Sequence, residues 1–294
     1  MSESILRPPA RRDVGSIADW IEATMAIEER GMFAKALIRR RLAADGNDDE
    51  ASMSLALAEI RRRQQIGGPL YPYEAGGAGV RRHDRANRAY DFLLACSLDE
   101  APFRQSKDWN TVVRLFEQLT VVGLGTIFGP GTKALRFGTP PEPSRPSTFA
   151  DALQWLASQM GHGVGPGKAS SNENDGGVDA VAWRPFTDGR VGFPVLFAQC
   201  TLQTAYESKG SDIVLPRWRT WITLRRDPFA ALVIPFSLGQ AVEPWEEANF
   251  TVDVVIDRFR LCELLAEEDL SAWSERRHLE GWLERELGEM RLAG

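Results

Sequence analysis

The chain has 294 residues, of which 43% are hydrophobic and 26% are charged. This composition supports a large hydrophobic core and excludes a disordered chain, a collagen-like repeat and a small disulfide-stapled domain. The formal net charge of -6 argues against a protein coated in basic residues for wrapping nucleic acid.

Cysteine and histidine usage narrows the class further. The chain has three cysteines, Cys96, Cys200 and Cys262, and each lies in an apolar run. This pattern predicts buried, reduced thiols in a cytosolic protein. The three histidines lack the helical spacing of a zinc enzyme. Because no apolar run reaches about 18 residues and residues 1–12 lack an apolar signal core, we expect a soluble, cytoplasmic protein without a membrane segment.

The first hundred residues show helical periodicity. Apolar residues recur every three or four positions over residues 17–42 and 48–65, and both predicted helices end in arginine triplets, at 39–41 and 61–63. Such arginines either offset the negative end of a helix or bind phosphate, and the pattern leaves both interpretations open. Glycine and proline over residues 67–79 predict a flexible boundary, and a further helix is expected over 84–98.

The middle of the chain combines helices with a hairpin. Amphipathic helices are predicted over residues 109–128 and 148–160, followed by a loop over 161–177. Two β-rich runs, 178–186 and 193–202, flank an Asp-Gly turn and predict a hairpin. The later predicted segments are buried runs at 218–224 and 230–236, the second a strand, and acidic closing helices at 250–267 and 271–292.

The net charge of the chain is distributed unevenly along the sequence. Residues 242–294 hold 6 basic and 14 acidic side chains, a net charge of -8, whereas residues 69–241 hold 18 and 16. The negative charge therefore lies in the C-terminal helices, and the net charge does not exclude DNA as a substrate.

Three motifs follow one another in a recognisable order. Glu117 lies in the helix of Phe116-Glu117-Gln118-Leu119, Asp179 follows the glycines of Asp175-Gly176-Gly177-Val178-Asp179, and Gln199 lies within a strand in Phe197-Ala198-Gln199-Cys200-Thr201. This order resembles the PD-(D/E)XK nuclease superfamily of restriction-endonuclease-like fold, in particular its Mrr-type branch. The motifs cover residues 110–240.

The resemblance implies an α+β fold with a restriction-endonuclease-like core, a mixed sheet with flanking helices. Together with the predicted elements, it divides the chain into a helical N-terminal region over residues 1–100 and a core with a C-terminal helical pair over 101–294. It further implies a Mg²⁺ or Mn²⁺ site with Asp179 as the central ligand, joined by the Gln199 amide, the Cys200 carbonyl and Glu117, which binds through water or orients the attacking water. The glycines before Asp179 are expected to let a phosphate backbone approach.

The sequence departs from the family pattern at one position. The family places a lysine two residues after the glutamate or glutamine, and this chain has Thr201 there. The nearest substitute is Lys209, which reaches the site if the segment after the strand begins a helix. A glutamine in place of an acid also removes one negative charge from the metal site.

A second basic group follows the motifs. Arginines are interleaved with Trp218 and Trp221, an arrangement that suits stacking on bases and contact with phosphates: Arg217, Arg219, Arg225 and Arg226. Tryptophans in the core with arginines at the surface explain the same pattern.

The leading hypothesis is a metal-dependent DNA endonuclease, and the resemblance suggests defence against foreign DNA. Its expected partners are DNA and either a protein subunit or a second copy of the chain. The alternatives are a catalytically inactive nuclease-like scaffold that binds DNA or a partner, and an all-helical regulator.

Overall fold

The computed structural model describes residues 6–10, 13–29, 31–43, 50–83, 88–99, 101–170, 173–239 and 242–293. Residues 48–49 and 84–87 of two predicted helices lie outside this set. The chain is an α+β protein, as predicted, which excludes the all-helical alternative. The helices are α1 (Val14–Ile27), α2 (Lys35–Ala43), α3 (Glu50–Ile66), α4 (Ala89–Ser97), α5 (Trp109–Leu124), α6 (Phe149–Gln159), α7 (Leu215–Trp221), α8 (Val242–Phe250), α9 (Arg258–Ala266) and α10 (Arg276–Ala293). The strands are β1 (Met32–Ala34), β2 (Tyr73–Gly76), β3 (Gly79–Arg82), β4 (Lys133–Arg136), β5 (Ala180–Trp183), β6 (Val195–Cys200), β7 (Phe229–Val233) and β8 (Val254–Ile256).

The chain forms two compact units. Unit 1 comprises Met1–Val112, Pro235–Gln240 and Arg258–Gly294, and unit 2 comprises Val113–Ile234 and Ala241–Asp257. This grouping differs from the predicted division at residue 100, because the C-terminal helices α9 and α10 pack with the N-terminal helices.

Unit 1 contains a three-stranded antiparallel sheet in the order β1-β3-β2, so the purely helical N-terminal region was a wrong prediction. The segment over residues 67–79 is ordered structure with buried Tyr73 and Ala75, where a flexible boundary was expected. Gly79 has φ +146, and a side chain there would overlap the Phe33 carbonyl of the neighbouring strand. Glycine at this position thus permits close strand pairing.

Two predicted helices are interrupted by strands. The helix expected over 17–42 is split into α1 and α2 by β1, whose Phe33 is fully buried and pairs with Val80. The helix expected over 250–267 is α8, β8 and α9, because the β-branched residues 254–256 pair in parallel with β7. In both places a tertiary partner overrides the local helical periodicity.

Unit 2 is built on a five-stranded sheet in the order β4-β5-β6-β7-β8. Strands β4, β5 and β6 are antiparallel, which confirms the predicted pairing of β5 with β6, whereas β7 and β8 continue the sheet in parallel. Helix α6 begins as predicted, since Thr148 Oγ1 accepts a hydrogen bond from Asp151 N at 3.2 Å. Among the described residues, no helix has both the length and the apolar character to cross a membrane.

A buried ionic network holds unit 1 together. The Arg258 guanidinium on α9 is fully buried and lies 3.0 Å from each carboxylate oxygen of Asp19 on α1. Arg63 on α3 reaches Asp19 at 2.6 Å and Glu22 at 3.0 Å. Burial alone would raise the pKa of Asp19, but the charges of Arg258 and Arg63 lower it to about 2. The two arginines therefore favour the ionised form of Asp19 in spite of its burial.

Glu286 on α10 offers a test of the packing of unit 1. Its carboxylate is buried and accepts a hydrogen bond from Phe103 N at 2.9 Å. Burial raises its pKa to about 7; the Phe103 N–H opposes the shift, and the charges of Glu289 and Asp108 add to it.

The Glu286→Gln variant should gain stability at pH 8 and lose part of the pH dependence of unfolding. Because the folded pKa exceeds the ordinary value of 4.5, the wild-type protein binds more protons folded than unfolded, and its stability falls as pH rises from 4.5 to 7. The amide still accepts from Phe103, and the gain is at most about 3 kcal/mol. Urea unfolding at pH 5 and pH 8 measures it, with the exposed Glu284→Gln as control. A gain equal at both pH values would contradict the assignment.

Candidate active site

Two carboxylates that were predicted to act together lie together in unit 2. Glu117 projects from α5, and Asp179 lies immediately before β5. The two carboxylates lie next to Gly138, just after β4. A Cβ atom added at Gly138 would lie 2.6 Å from Glu117 Oε2 and 3.0 Å from Asp179 Oδ1. Both acids are buried, with exposed fractions of 2% and 7%. The absence of a side chain at Gly138 therefore leaves room for the acidic pair.

Asp179 is held by the backbones of both neighbouring strands. Its N–H donates to Ala198 O at 2.8 Å, and its carbonyl accepts from Phe137 N and Gly138 N. Its Oδ2 accepts from Cys200 N at 2.8 Å. These bonds fix the carboxylate at the junction of β5 and β6, and they explain how an aspartate is tolerated beside a buried strand.

Arg136 is a site residue that sequence reasoning missed. Its Nε donates to Glu117 Oε2 at 2.6 Å, and its Nη1 donates to Pro140 O at 2.7 Å. Its Nη2 is buried without a hydrogen-bond partner among the described residues. Strand β4, which carries Arg136, was not predicted, so no signal connected this arginine to Glu117.

The electrostatics of the pair disfavour two full negative charges. Burial raises the pKa of Asp179, and the charge of Glu117 raises it further, although the Cys200 N–H opposes the shift. Burial also raises the pKa of Glu117, against the opposing charge of Arg136. A site of this kind favours binding of a proton or a cation.

The pairing register of β5 with β6 places Gln199 and Cys200 next to Asp179. Ala180 on β5 pairs with Ala198 on β6, which places Gln199 one residue beyond that pair on the side of Asp179. The Gln199 side chain is half-buried and its Nε2 lies 3.4 Å from Cys200 O. Burial raises the pKa of the Cys200 thiol well above its usual range, so a thiolate ligand is disfavoured and the carbonyl is the available donor.

Thr201 occupies the position at which the PD-(D/E)XK pattern has a lysine, and its hydrogen bonds are to backbone atoms. It is buried, its N–H donates to Val233 O at 3.0 Å, and its Oγ1 accepts from Gln203 N at 3.1 Å. Lys209 lies in the 3-10 turn Lys209–Asp212, where an α-helix start was expected. Its Nζ is 3.6 Å from Asp212 Oδ2. The cation that acts on both Glu117 and Asp179 is Arg136.

The glycines before Asp179 serve protein packing. Gly176 and Gly177 have φ +64 and +77. A side chain at Gly177 would overlap the Asp212 carbonyl, and one at Gly176 would lie 3.0 Å from Trp218. Packing against these protein atoms is therefore sufficient to explain both glycines, and the approach of a phosphate backbone stays a prediction. Asp175 caps this turn, since its Oδ1 accepts from Gly177 N at 3.0 Å.

In the predicted group of arginines and tryptophans, the tryptophans lie in the core and the arginines lie at the surface. Trp218 and Trp221 are buried in an aromatic cluster with Phe149, so they do not stack on bases. Arg217 forms a bidentate ion pair with Glu173, and Arg219 pairs with Asp227. The remaining two predicted contacts, Arg225 and Arg226, are exposed.

The donor set is compatible with a hard divalent cation. Among the described residues, no three His, Cys, Asp or Glu side chains form a metal cage. Mg²⁺ needs no such cage, since one or two carboxylates with waters and a substrate phosphate commonly suffice. Asp179, Glu117 and nearby amide and carbonyl oxygens are donors of this type. Burial raises the pKa of both acids, and the charge of Arg136 opposes this shift only in part.

Asp179→Asn should stabilise the protein by about 1 kcal/mol at pH 7, because it removes a carboxyl group whose ionised form is disfavoured by burial and by the charge of Glu117. The remaining side-chain oxygen still accepts from Cys200 N. Chemical denaturation measures the change. Asp253→Asn is the matched control, since Asp253 also accepts a backbone N–H, from Ala230, at an exposed position. A loss of stability on Asp179→Asn beyond that of the control would show that the charge itself is structural.

The comparisons with known proteins add no family assignment: no family model, no curated protein and no solved structure matches this chain.

Proposed function

We propose that this protein is a metal-dependent DNA endonuclease with a restriction-endonuclease-like core, and that it acts against foreign DNA. The observation that carries the proposal is the convergence of Glu117 and Asp179 at Gly138. Apart from α6, which lies between β4 and β5, the elements that bring them together follow the order α5, β4, β5, β6, α7, β7. This is the order in which the PD-(D/E)XK pattern places its helix glutamate, its aspartate strand and its glutamine strand.

In this proposal Asp179 and Glu117 hold the Mg²⁺ or Mn²⁺ ion, with the Gln199 amide oxygen and the Cys200 carbonyl as further donors. The ion, when bound, supplies an activated water and charge compensation for the transferred phosphoryl group. The bond between Cys200 N and Asp179 Oδ2 orients the central carboxylate. Arg136 orients Glu117 through its 2.6 Å ion pair.

Arg136 Nη2, a buried donor without a hydrogen-bond partner among the described residues, also supports the proposal. A buried guanidinium N–H group without a partner is unfavourable by about 1–3 kcal/mol. A phosphate oxygen or a bound water beside the acidic pair would satisfy Arg136 Nη2. We assign this arginine the compensation of phosphate charge that the family lysine provides, with Lys209 as the second candidate cation.

Specific observations favour a second candidate function, an inactive nuclease-like scaffold that binds DNA or a protein partner. Thr201 replaces the family lysine and is committed to backbone hydrogen bonds. Glu117 is already paired with Arg136. In a scaffold, Arg136 would act only as a permanent counterion for Glu117.

Incubation of the protein with supercoiled plasmid and Mg²⁺ or Mn²⁺ distinguishes the two functions. We expect nicking or linearisation that EDTA abolishes and that Asp179→Asn lowers at least 100-fold, because Asp179 is the central ligand. Arg136→Lys should retain part of the activity, because it keeps a charge while losing the fork geometry. Agarose gel electrophoresis measures the products.

The exposed Asp253→Asn variant serves as the control and should cleave like the wild type. Cleavage that persists unchanged in Asp179→Asn would contradict the proposed site. Absence of cleavage together with absence of Mn²⁺ binding by calorimetry would favour the scaffold.

A further inference from the structure

The N-terminal part of unit 1 has an order of elements that the nuclease core does not use. Helix α1 is followed by β1, α2, α3 and the β2-β3 hairpin, and the sheet order is β1-β3-β2. Two helices in contact followed by a β-hairpin is the element order of a helix-turn-helix with a wing. Residues 44–49, which join α2 to α3, lie outside the described residues. In helix-turn-helix proteins the second helix of the pair enters the major groove of DNA. The corresponding helix here is α3.

Helix α3 has one buried face and one exposed face. The buried face packs into unit 1 through apolar residues and one ion-paired arginine: Met53, Ala56, Leu57, Ile60 and Arg63. Most of the exposed residues between its ends recur at helical spacing and are small, polar or basic: Ala51, Ser54, Ala58, Arg61, Gln64 and Gln65. Leu55 within the helix and Glu50 and Ile66 at its two ends are also exposed. Small residues with hydrogen-bonding side chains suit close approach to base edges.

The arginines of this region divide by structural role. Arg41, Arg63 and Arg82 are each engaged by acidic side chains within unit 1. In contrast, three exposed arginines, one each on α2, α3 and β3, have no ion-pair partner among the described residues: Arg40, Arg61 and Arg81. Ion pairs within unit 1 thus explain the first three arginines, but they do not explain the presence of Arg40, Arg61 and Arg81.

Two nearby acidic side chains already have partners. Glu50 lies 3.7 Å from Arg39, and Glu74 lies 3.1 Å from His83. Over residues 31–83 the sequence holds nine Lys and Arg against six Asp and Glu, whereas residues 258–294 of unit 1 hold six Arg against nine Asp and Glu. Positive charge in unit 1 is therefore concentrated in the helix-turn-helix segment.

The hairpin turn is anchored beside the start of α2. The Lys35 N–H donates to Ala78 O at 2.9 Å, and Gly79 lies directly against the Phe33 carbonyl. Residues 76–78 at the turn are small and exposed. A turn without bulky side chains, held next to a basic helix, is suited to approach a phosphate backbone.

We propose that α2, α3 and the β2-β3 hairpin form a binding surface for double-stranded DNA, separate from the acidic pair of unit 2. Arg40, Arg61 and Arg81 contact phosphates, and the Ser54 side of α3 faces the major groove. This surface goes beyond the proposed cleavage function and does not depend on it, since binding requires neither Asp179 nor a metal ion.

Fluorescence anisotropy of the full chain with a labelled 25-base-pair duplex, in EDTA, tests the proposal. The Arg40→Ala, Arg61→Ala and Arg81→Ala variants should each weaken binding about threefold to tenfold and reduce the salt slope by about one. Ser54→Glu, which places a negative charge on the exposed face of α3, should weaken binding at least tenfold. Thermal unfolding confirms that each variant is folded.

Arg277→Ala on α10 is the matched control, because Arg277 is also exposed and its loss changes the net charge equally. Equal weakening by Arg277→Ala would overturn the proposal, since it would show only a net-charge effect. Absence of duplex binding by the wild type would also overturn it. A change of oligomeric state in Ser54→Glu with unchanged DNA binding would instead assign the face around the exposed Leu55 to a protein interface.

Discussion

The burial of Arg258 is the constraint on which the organisation of the chain depends. A fully buried guanidinium is tolerated only when its donors are satisfied, and Asp19, Ser97 and the Pro235 carbonyl satisfy them. These partners are far from Arg258 in the sequence. The chain therefore returns to the N-terminal helices after residue 257, and unit 1 is assembled from three separate segments.

The two proposals concern different units of the chain. Unit 1 contains α2, α3 and the β2-β3 hairpin, supported by an ionic core, and unit 2 contains the sheet that positions the acidic pair. The C-terminal segment contributes acidic helices to unit 1, while the basic residues left over from its core lie on α2, α3 and β3. The net charge of -6 is thus the sum of regions with opposite character.

The acidic pair is an arrangement that burial makes unfavourable. Glu117 and Asp179 are buried at one point, and burial raises the pKa of both carboxyls. An arrangement that repels itself persists because Arg136 and the Cys200 N–H support it. Such unfavourable pairs are expected where a cation or a proton is to be bound. The same reasoning explains why Asp179→Asn is expected to stabilise the fold and to abolish cleavage.

The sequence by itself determined the α+β class and the hairpin of β5 with β6, since periodicity and turn residues are local signals. The order of its motifs also selected Glu117 and Asp179 as candidate site residues. Only the tertiary structure decided that Arg136 pairs with Glu117, that Gly176 and Gly177 make room for protein atoms, and that Trp218 belongs to the core. The short strands β1 and β8 likewise depend on partners distant in the chain. Local sequence patterns report which side chains favour burial, but the partner of a buried charge or a short strand is chosen by long-range packing.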